Sequence, residues 1–269
     1  MENPYLKKHL ETHLRASQLK QLAILEVING ICKKHGIEYW LDGGTLLGAV
    51  RHGGFIPWDD DIDIAMRKEA LDKFVEVAPK ELPEHLFLQT PQNDPTVKEP
   101  IVKVRDLNSL YIERSDTFNV DYQKGLYVDI FPFIDYPTVS REFVKHVAKG
   151  ISVSWSILHA QHYYSLRSFL EFFHFGFKHL FFKAVWAVAS MIKPHDTYIS
   201  NTLTNNGYGI MHRQDSIFPL GTAEFEGKTF SAPGNTDAYL KDLYKNYMEV
   251  PPVEKRQIHA IYIQPQLEP

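Results

Sequence analysis

Asp59, Asp60, Asp61 and Asp63 put four carboxylates into five consecutive positions, in a run whose other members, Phe55, Ile56, Trp58, Ile62, Ile64 and Met66, belong in a core. Side chains charged at this density repel one another, and burying each without a partner costs on the order of several kcal/mol. The segment is therefore either a solvated acidic turn or part of a site that holds something positive, and its apolar flanks argue against the turn. On extended backbone Asp59, Asp61 and Asp63 project from one face, while Asp60 and Ile62 project from the other. Two or three carboxylates converging on one side select a hard cation, Mg²⁺ or Mn²⁺, which keeps waters and takes up substrate phosphates. A calcium loop of the EF-hand type begins the same way. It fails at its sixth position, Ile64 in place of Gly, and at its twelfth, Ala70 in place of Glu.

The frame around this run is an ordinary globular one, with 269 residues, 44% hydrophobic, 23% charged and a formal net charge of −4. That composition excludes disorder as a description of the whole chain and excludes a strongly basic nucleic-acid binder. The single Cys32 permits neither a disulfide framework nor a thiolate zinc cluster. With an N-terminal stretch that lacks the apolar run of a secretory signal, this predicts a cytoplasmic protein, soluble or peripheral at the inner face of the membrane.

Leu14, Leu22, Leu25, Ile28 and Cys32 recur at helical spacing and predict a helix over residues 14–35, closed by Gly36. A strand over 37–41, a Gly43-Gly44 turn, a short helix capped by Thr45, a strand over 61–65 and a helix over 68–78 follow. Further strands are predicted over 86–90, 101–105, 109–113 and 126–131, and a helix over 237–247. The fold expected is α+β, with one mixed central sheet flanked by helices. Eight aromatic residues crowd positions 165–192 and mark a helical insertion. The domain reading is a catalytic core over 1–140, an aromatic-rich insertion over 141–205 and a C-terminal part of the catalytic domain over 206–269.

Two further features bear on chemistry. In Asp42-Gly43-Gly44-Thr45 the paired glycines let a backbone approach a ligand closely at a helix start, where amides bind phosphate. Alone this reads as a turn, since no dinucleotide fingerprint or Walker lysine accompanies it. Asp129, between Val128 and Ile130, is a carboxylate in a buried strand, and a salt bridge to Lys103 or Arg105 is as good an explanation as a metal.

Taken together, a strand, a Gly-Gly turn, a helix, Asp-x-Asp on the next strand and an Asp on a later strand resemble the nucleotidyltransferase superfamily of the polymerase-β type. The block Tyr39-Trp-Leu-Asp-Gly-Gly-Thr-Leu-Leu-Gly-Ala-Val-Arg-His-Gly-Gly-Phe-Ile-Pro-Trp-Asp-Asp-Asp-Ile-Asp-Ile-Ala-Met66 is similar, almost unbroken, to the signature of the LicD family. That family comprises bacterial phosphorylcholine transferases related to fukutin-type ribitol-phosphate transferases. Val102-Lys-Val-Arg-Asp106, Val128-Asp-Ile-Phe-Pro132, Phe225-Glu-Gly227 and Tyr247-Met-Glu-Val-Pro-Pro252 extend the likeness, which spans residues 22–259. One departure is Leu243-Tyr-Lys-Asn-Tyr247, where the family pattern has Gly-Asp or Gly-Asn after the first tyrosine.

The resemblance implies a nucleotidyltransferase-like fold and a phosphotransferase. Such an enzyme cleaves a CDP-alcohol such as CDP-choline and moves the phospho-alcohol onto a hydroxyl of a glycan or its lipid-linked precursor, releasing CMP. It implies Asp61 and Asp63 as Mg²⁺ or Mn²⁺ ligands, Asp129 as third ligand or base, and Asp59 as an outer ligand or a support for the others. Gly43, Gly44, Thr45, Arg51, His52, Trp58, Lys103 and Arg105 are the residues expected to bind substrate. Two other readings stay open: a nucleotidyltransferase depositing a nucleoside monophosphate, and a catalytically inactive glycan-binding module.

Trp40, Trp58, Tyr127 and Phe131 are candidates for a cage around a quaternary ammonium, although core packing is the commoner role of such residues. Cys32 falls on the buried helix stripe. The aromatic stretch is interrupted by Glu171, His174, Lys178, His179 and Lys183 and does not read as a transmembrane helix. Docking at a membrane surface, burial against the catalytic domain and burial in a dimer are the readings left to it.

Overall fold

The computed structural model describes residues 3–94, 101–114, 116, 122–159, 165–256 and 258–267. The chain divides into two compact units, one of Met1–Pro132 with Pro219–Pro269, the other of Phe133–Phe218. Residues 160–164 of the expected insertion lie outside the described residues.

The first unit opens with α1 (Pro4–His35), which starts well before the expected residue 14 because Asn3 caps it and Pro4 stands at its first turn. It ends as predicted, with Gly36 in the left-handed conformation donating to Cys32 O. Its buried stripe contains Gln18 and Gln21 among the apolar residues. Next come β1 (Trp40–Leu41), α2 (Gly43–His52), β2 (Asp63–Arg67) and α3 (Lys68–Val77). Then follow β3 (Leu86–Gln89), β4 (Val102–Asp106), β5 (Leu110–Glu113) and β6 (Tyr127–Tyr136). Two expectations are corrected here. Asp42, not Thr45, caps α2, which therefore begins on the glycine pair; and the strand begins at Asp63, so Asp59, Asp60 and Asp61 lie on the loop that leads into it.

These strands run in the order β1-β2-β6-β4-β3. The β1–β2, β3–β4 and β4–β6 pairs are antiparallel, and their register sets Lys103 opposite Asp129. Asp129 N donates to Ile62 O at 2.9 Å, which ties the middle of β6 to the end of the acidic loop. The expected α+β arrangement of one sheet with flanking helices is therefore present.

From Phe133 onward β6 belongs to the second unit and pairs with β7 (Tyr198–Asn201), which pairs with β8 (His212–Arg213). Between them lie α4 (Arg141–His159) and α5 (Leu166–Ile192), and α6 (Gln214–Ile217) follows. Tyr136, Val144, Val147, Ala148 and Ile151 form this unit's core, against which Phe182, Val185 and Trp186 of α5 pack. Gly150 permits the approach, since a Cβ there would lie 2.3 Å from the Phe182 ring.

Back in the first unit, β9 (Gly221–Phe225) and β10 (Lys228–Ala232) form a hairpin, α7 (Thr236–Tyr244) follows, and β11 (Ala260–Gln264) pairs with β5. The hairpin turn is Glu226-Gly227, both with positive φ. Glu226 accepts from Arg15 through both carboxylate oxygens, at 2.9 and 2.6 Å, and from Phe55 N at 3.0 Å, so the hairpin fixes the loop after α2.

Candidate functional site

Three short connections of the first unit, at the start of α2, in the acidic loop and on β6, meet at one place. Asp42 leaves β1, donates its N–H to Asp63 O at 3.0 Å, and turns the chain into α2. Its Oδ1 accepts from Gly43 N at 2.7 Å and from the Tyr239 hydroxyl at 2.6 Å. The two glycines that follow have carboxylates against them. A Cβ on Gly43, which has φ +51°, would lie 2.7 Å from Asp63 Oδ2, and one on Gly44 would lie 2.8 Å from Asp59 Oδ2. Any side chain at either position would displace a carboxylate. The Thr45 hydroxyl accepts from Asp63 N at 2.8 Å and fixes where β2 begins.

The acidic loop is held from behind by α1. Gln18 donates to Asp59 O at 2.8 Å, and Gln21 donates to Asp60 O at 2.9 Å and to Tyr127 O at 3.3 Å. The Asp60 carboxylate is buried. It accepts from the Tyr111 hydroxyl at 2.8 Å, from His259 N at 3.1 Å and from Ala260 N at 2.8 Å. Burial alone would raise its pKa, but the hydrogen bond from the His259 ring, followed by those backbone and hydroxyl donors, holds it below the usual carboxylate value.

Asp59, Asp61 and Asp63 face one another. Burial first, and then the charge of Asp60, pushes Asp59 up to about 6, and Asp59 shares a side-chain hydrogen bond with Asp61. Asp61 is driven well above the carboxylate range by burial and by Asp59 and Asp60. Asp63 is driven up likewise, by burial and by Asp61, Asp129 and Asp42. Six carboxylates, Asp42, Asp59, Asp60, Asp61, Asp63 and Asp129, thus share one field, with the positive end of α2 beside two of them. A site built only of oxygen donors whose negative charges raise one another's pKa fits a hard divalent cation.

Asp60, Asp61 and His259 offer ligand atoms that all lie within 4.8 Å of one another. Asp60, however, is already bonded to the Tyr111 hydroxyl, to two backbone N–H groups and to the His259 ring. The His259 ring, 3.2 Å from Asp60 and 3.4 Å from Asp61, is raised to about 9 by its hydrogen bond to Asp60 first and by Asp61 next. At neutral pH this ring is an imidazolium bridging two acids, and a protonated ring is a donor instead of a ligand. Asp60 thereby anchors the acidic loop to His259 and to the start of β11.

Asp129 and Lys103 form a buried pair, Lys103 Nζ lying 2.9 Å from Asp129 Oδ1 and 4.0 Å from the Tyr127 ring centre. Arg105, on the same face of β4, covers the same ring at 4.6 Å and donates to Gln89 Oε1 at 2.6 Å and to Gly125 O at 2.8 Å. Both cations expected to reach phosphate are therefore engaged within the sheet. Arg51 donates to Tyr247 O at 2.7 Å and to Glu249 O at 3.1 Å, clasping the loop after α7. His52 stays exposed, edge-on to Trp58 at 6.4 Å, and its pKa is lowered by burial and by Arg51. The aromatic cage does not assemble. Trp40 is buried and donates to the Tyr239 hydroxyl, Tyr127 is covered by Lys103 and Arg105, and the Arg256 guanidinium lies 4.0 Å from the Trp58 ring.

Sequence reasoning treated Asp42 as a turn residue and did not single out Tyr239, His259, Gln18 or Gln21. The two glutamines did carry a signal, as amides on the face of α1 that turns inward. Tyr239 and His259 lie some two hundred positions from their partners, and no local pattern announces them.

The model of the LicD/FKTN/FKRP nucleotidyltransferase domain matches residues 36–155. The lipopolysaccharide cholinephosphotransferase LicD of Haemophilus influenzae is 31% identical over 271 residues, covering 92% of this chain and 96% of that protein. An uncharacterised protein of Rickettsia typhi is 41% identical over 69 residues, 24% of this chain and 22% of its own length. The mouse ribitol 5-phosphate transferase FKRP is 52% identical over 40 residues, 15% of this chain and 8% of its own length.

Proposed function

We propose that this chain, which belongs to the LicD family, transfers a phospho-alcohol from a CDP-alcohol, CDP-choline foremost, to a hydroxyl of a cell-surface glycan or its lipid-linked precursor. The observation that carries the reading is the set of carboxylates gathered at the glycine-led start of α2, where Asp63 lies against Gly43 and Asp59 against Gly44, and where the pKa values of Asp59, Asp61 and Asp63 are raised by burial and by neighbouring acids. The names of the relatives support it, one a cholinephosphotransferase and another a ribitol 5-phosphate transferase.

In this reading Asp61 and Asp63 would hold Mg²⁺ or Mn²⁺, with Asp129 or Asp59 completing the set. A cation held there would supply neutralisation of phosphate charge. The acceptor oxygen attacks the phosphorus that carries the alcohol, the P–O bond to the cytidylate breaks, and CMP leaves. The hydroxyl proton passes to a carboxylate. Asp129, set on β6 with Lys103 2.9 Å away, is the acid placed for that role or a ligand's. Phosphoryl transfer asks mainly for position and charge neutralisation. Gly43 and Gly44 serve by giving the acids room, and Thr45 by pinning Asp63. His52 and Trp58 remain the candidates for donor contact at the rim, while Arg51, Lys103 and Arg105 act by holding the walls.

Incubating the purified chain and Mg²⁺ with CDP-choline, CDP-ethanolamine, CDP-glycerol and CDP-ribitol, and following CMP, tests the reading. Release of CMP with acceptor mass rising by the phospho-alcohol supports it. An acceptor gaining a nucleoside monophosphate from a nucleoside triphosphate would replace it with the nucleotidyltransferase reading.

A further inference from the structure

The helix α5 carries seven phenylalanines and buries no residue. Laid out at about 100° per residue, it has two unlike halves. One half packs through Phe182, Val185 and Trp186 on the core of its unit, and His179 meets Ser154 at 3.0 Å. The opposite half carries no polar side chain over its whole length. Leu166, Phe169, Phe173, Phe177, Leu180 and Met191 point outward there and are between 59% and 85% exposed. Every charged residue of α5 falls outside this half, with Lys183 and His174 at its two borders. By length and composition α5 is apolar enough to cross a membrane. The packing of its other half on a folded core, and the charges along its sides, fit a helix lying in the plane instead.

Charge indicates what covers this face. Residues 141–193 hold seven Lys and Arg against two Glu, so this stretch is net +5 in a chain that is net −4 overall. A protein partner of this size would also be expected to find hydrogen-bonding groups in the patch, at about one per 100–200 Å² of interface, and the outward half of α5 offers no polar side chain. We infer that α5 is a monotopic membrane helix that seats its outward half among the acyl chains of an anionic lipid surface. Lys178, Lys183 and Lys193 reach the headgroups from its sides and end. This stands on the second unit alone and does not depend on the reaction proposed above.

Flotation of the full chain with vesicles of phosphatidylcholine alone, and of phosphatidylcholine with phosphatidylglycerol, tests it. Binding is expected to the mixed vesicles and to weaken in high salt. The triple variant Phe173→Ser, Phe177→Ser, Leu180→Ser, changed only at exposed positions, should lose about tenfold or more of that binding with unchanged circular dichroism. Lys178→Gln with Lys183→Gln should weaken binding to the mixed vesicles and leave any binding to neutral ones unchanged. Equal binding by the wild type and the triple variant overturns the inference. So does a wild type that ignores both vesicles, or a dimer in solution that the triple variant converts to monomer.

Discussion

Gly43 and Asp63 touch across the start of α2: a Cβ on this glycine would stand 2.7 Å from Asp63 Oδ2, and its backbone has φ +51°. Steric room for a carboxylate and a left-handed backbone are thus required of one residue. Gly43→Ala should cost about 1–2 kcal/mol from the backbone alone. It should also cost activity out of proportion, because Asp63 is pushed from its place. Denaturant unfolding and CMP release measured together check this; a variant of normal activity would show that Asp63 tolerates displacement.

Lys103 and Asp129 are a buried pair set opposite each other by strand register. Lys103→Met leaves the acid without its cation and should destabilise the fold by about 3–5 kcal/mol. Lys103→Met with Asp129→Asn should recover most of that and remain inactive. Additive effects in this double-mutant cycle would remove the pair from the account.

Lys245 has φ +55° without being glycine, at the position where the family pattern has glycine. Lys245→Gly should therefore raise stability by about 1 kcal/mol, read as a higher unfolding midpoint. An unchanged or lower midpoint would show that the side chain compensates the backbone.

Legibility in the sequence followed the range of the forces. The acidic run, the Gly-Gly pair and Asp129 are legible because apolar alternation and turn chemistry are local. The cap of α2 was misplaced by three residues, since Asp42 and Thr45 are both good capping types and only the bond to Gly43 N tells them apart. Roles as clamps were expected for Arg51, Lys103 and Arg105 from their type. The structure engages each with a carbonyl, an amide or an acid supplied from elsewhere in the chain, which a sequence pattern does not encode. The outward face of α5 was masked by charges that interrupt the sequence but not the helix surface.

The pH dependence has a definite sign. Asp59, Asp61 and Asp63 have raised pKa values in the folded chain, Asp59 near 6, and His259 is raised to about 9. Above the ordinary carboxylate range the metal-free folded state therefore holds more protons than the unfolded one, and its stability falls as pH rises through these values toward 9. Asp60, with a lowered pKa, contributes stability that is lost only in acid. Unfolding midpoints in EDTA should decline from mildly acidic to alkaline pH, and saturating Mg²⁺ should flatten the decline. A rise with pH would contradict the arrangement of charges.

The central claim is that Asp61 and Asp63 form a cation site whose charges oppose one another until it is filled. Thermal unfolding of the wild type and of Asp63→Asn, each in EDTA and in saturating Mg²⁺, tests it most directly. The wild type should gain about 2.7 kcal/mol at a hundredfold excess of Mg²⁺ over Kd, several degrees for a chain of this size. Asp63→Asn should melt at or above the wild type in EDTA, gain little from Mg²⁺, and lose at least about 10²-fold in turnover. A variant that melts well below the wild type in EDTA, or gains as much from Mg²⁺, would contradict the account.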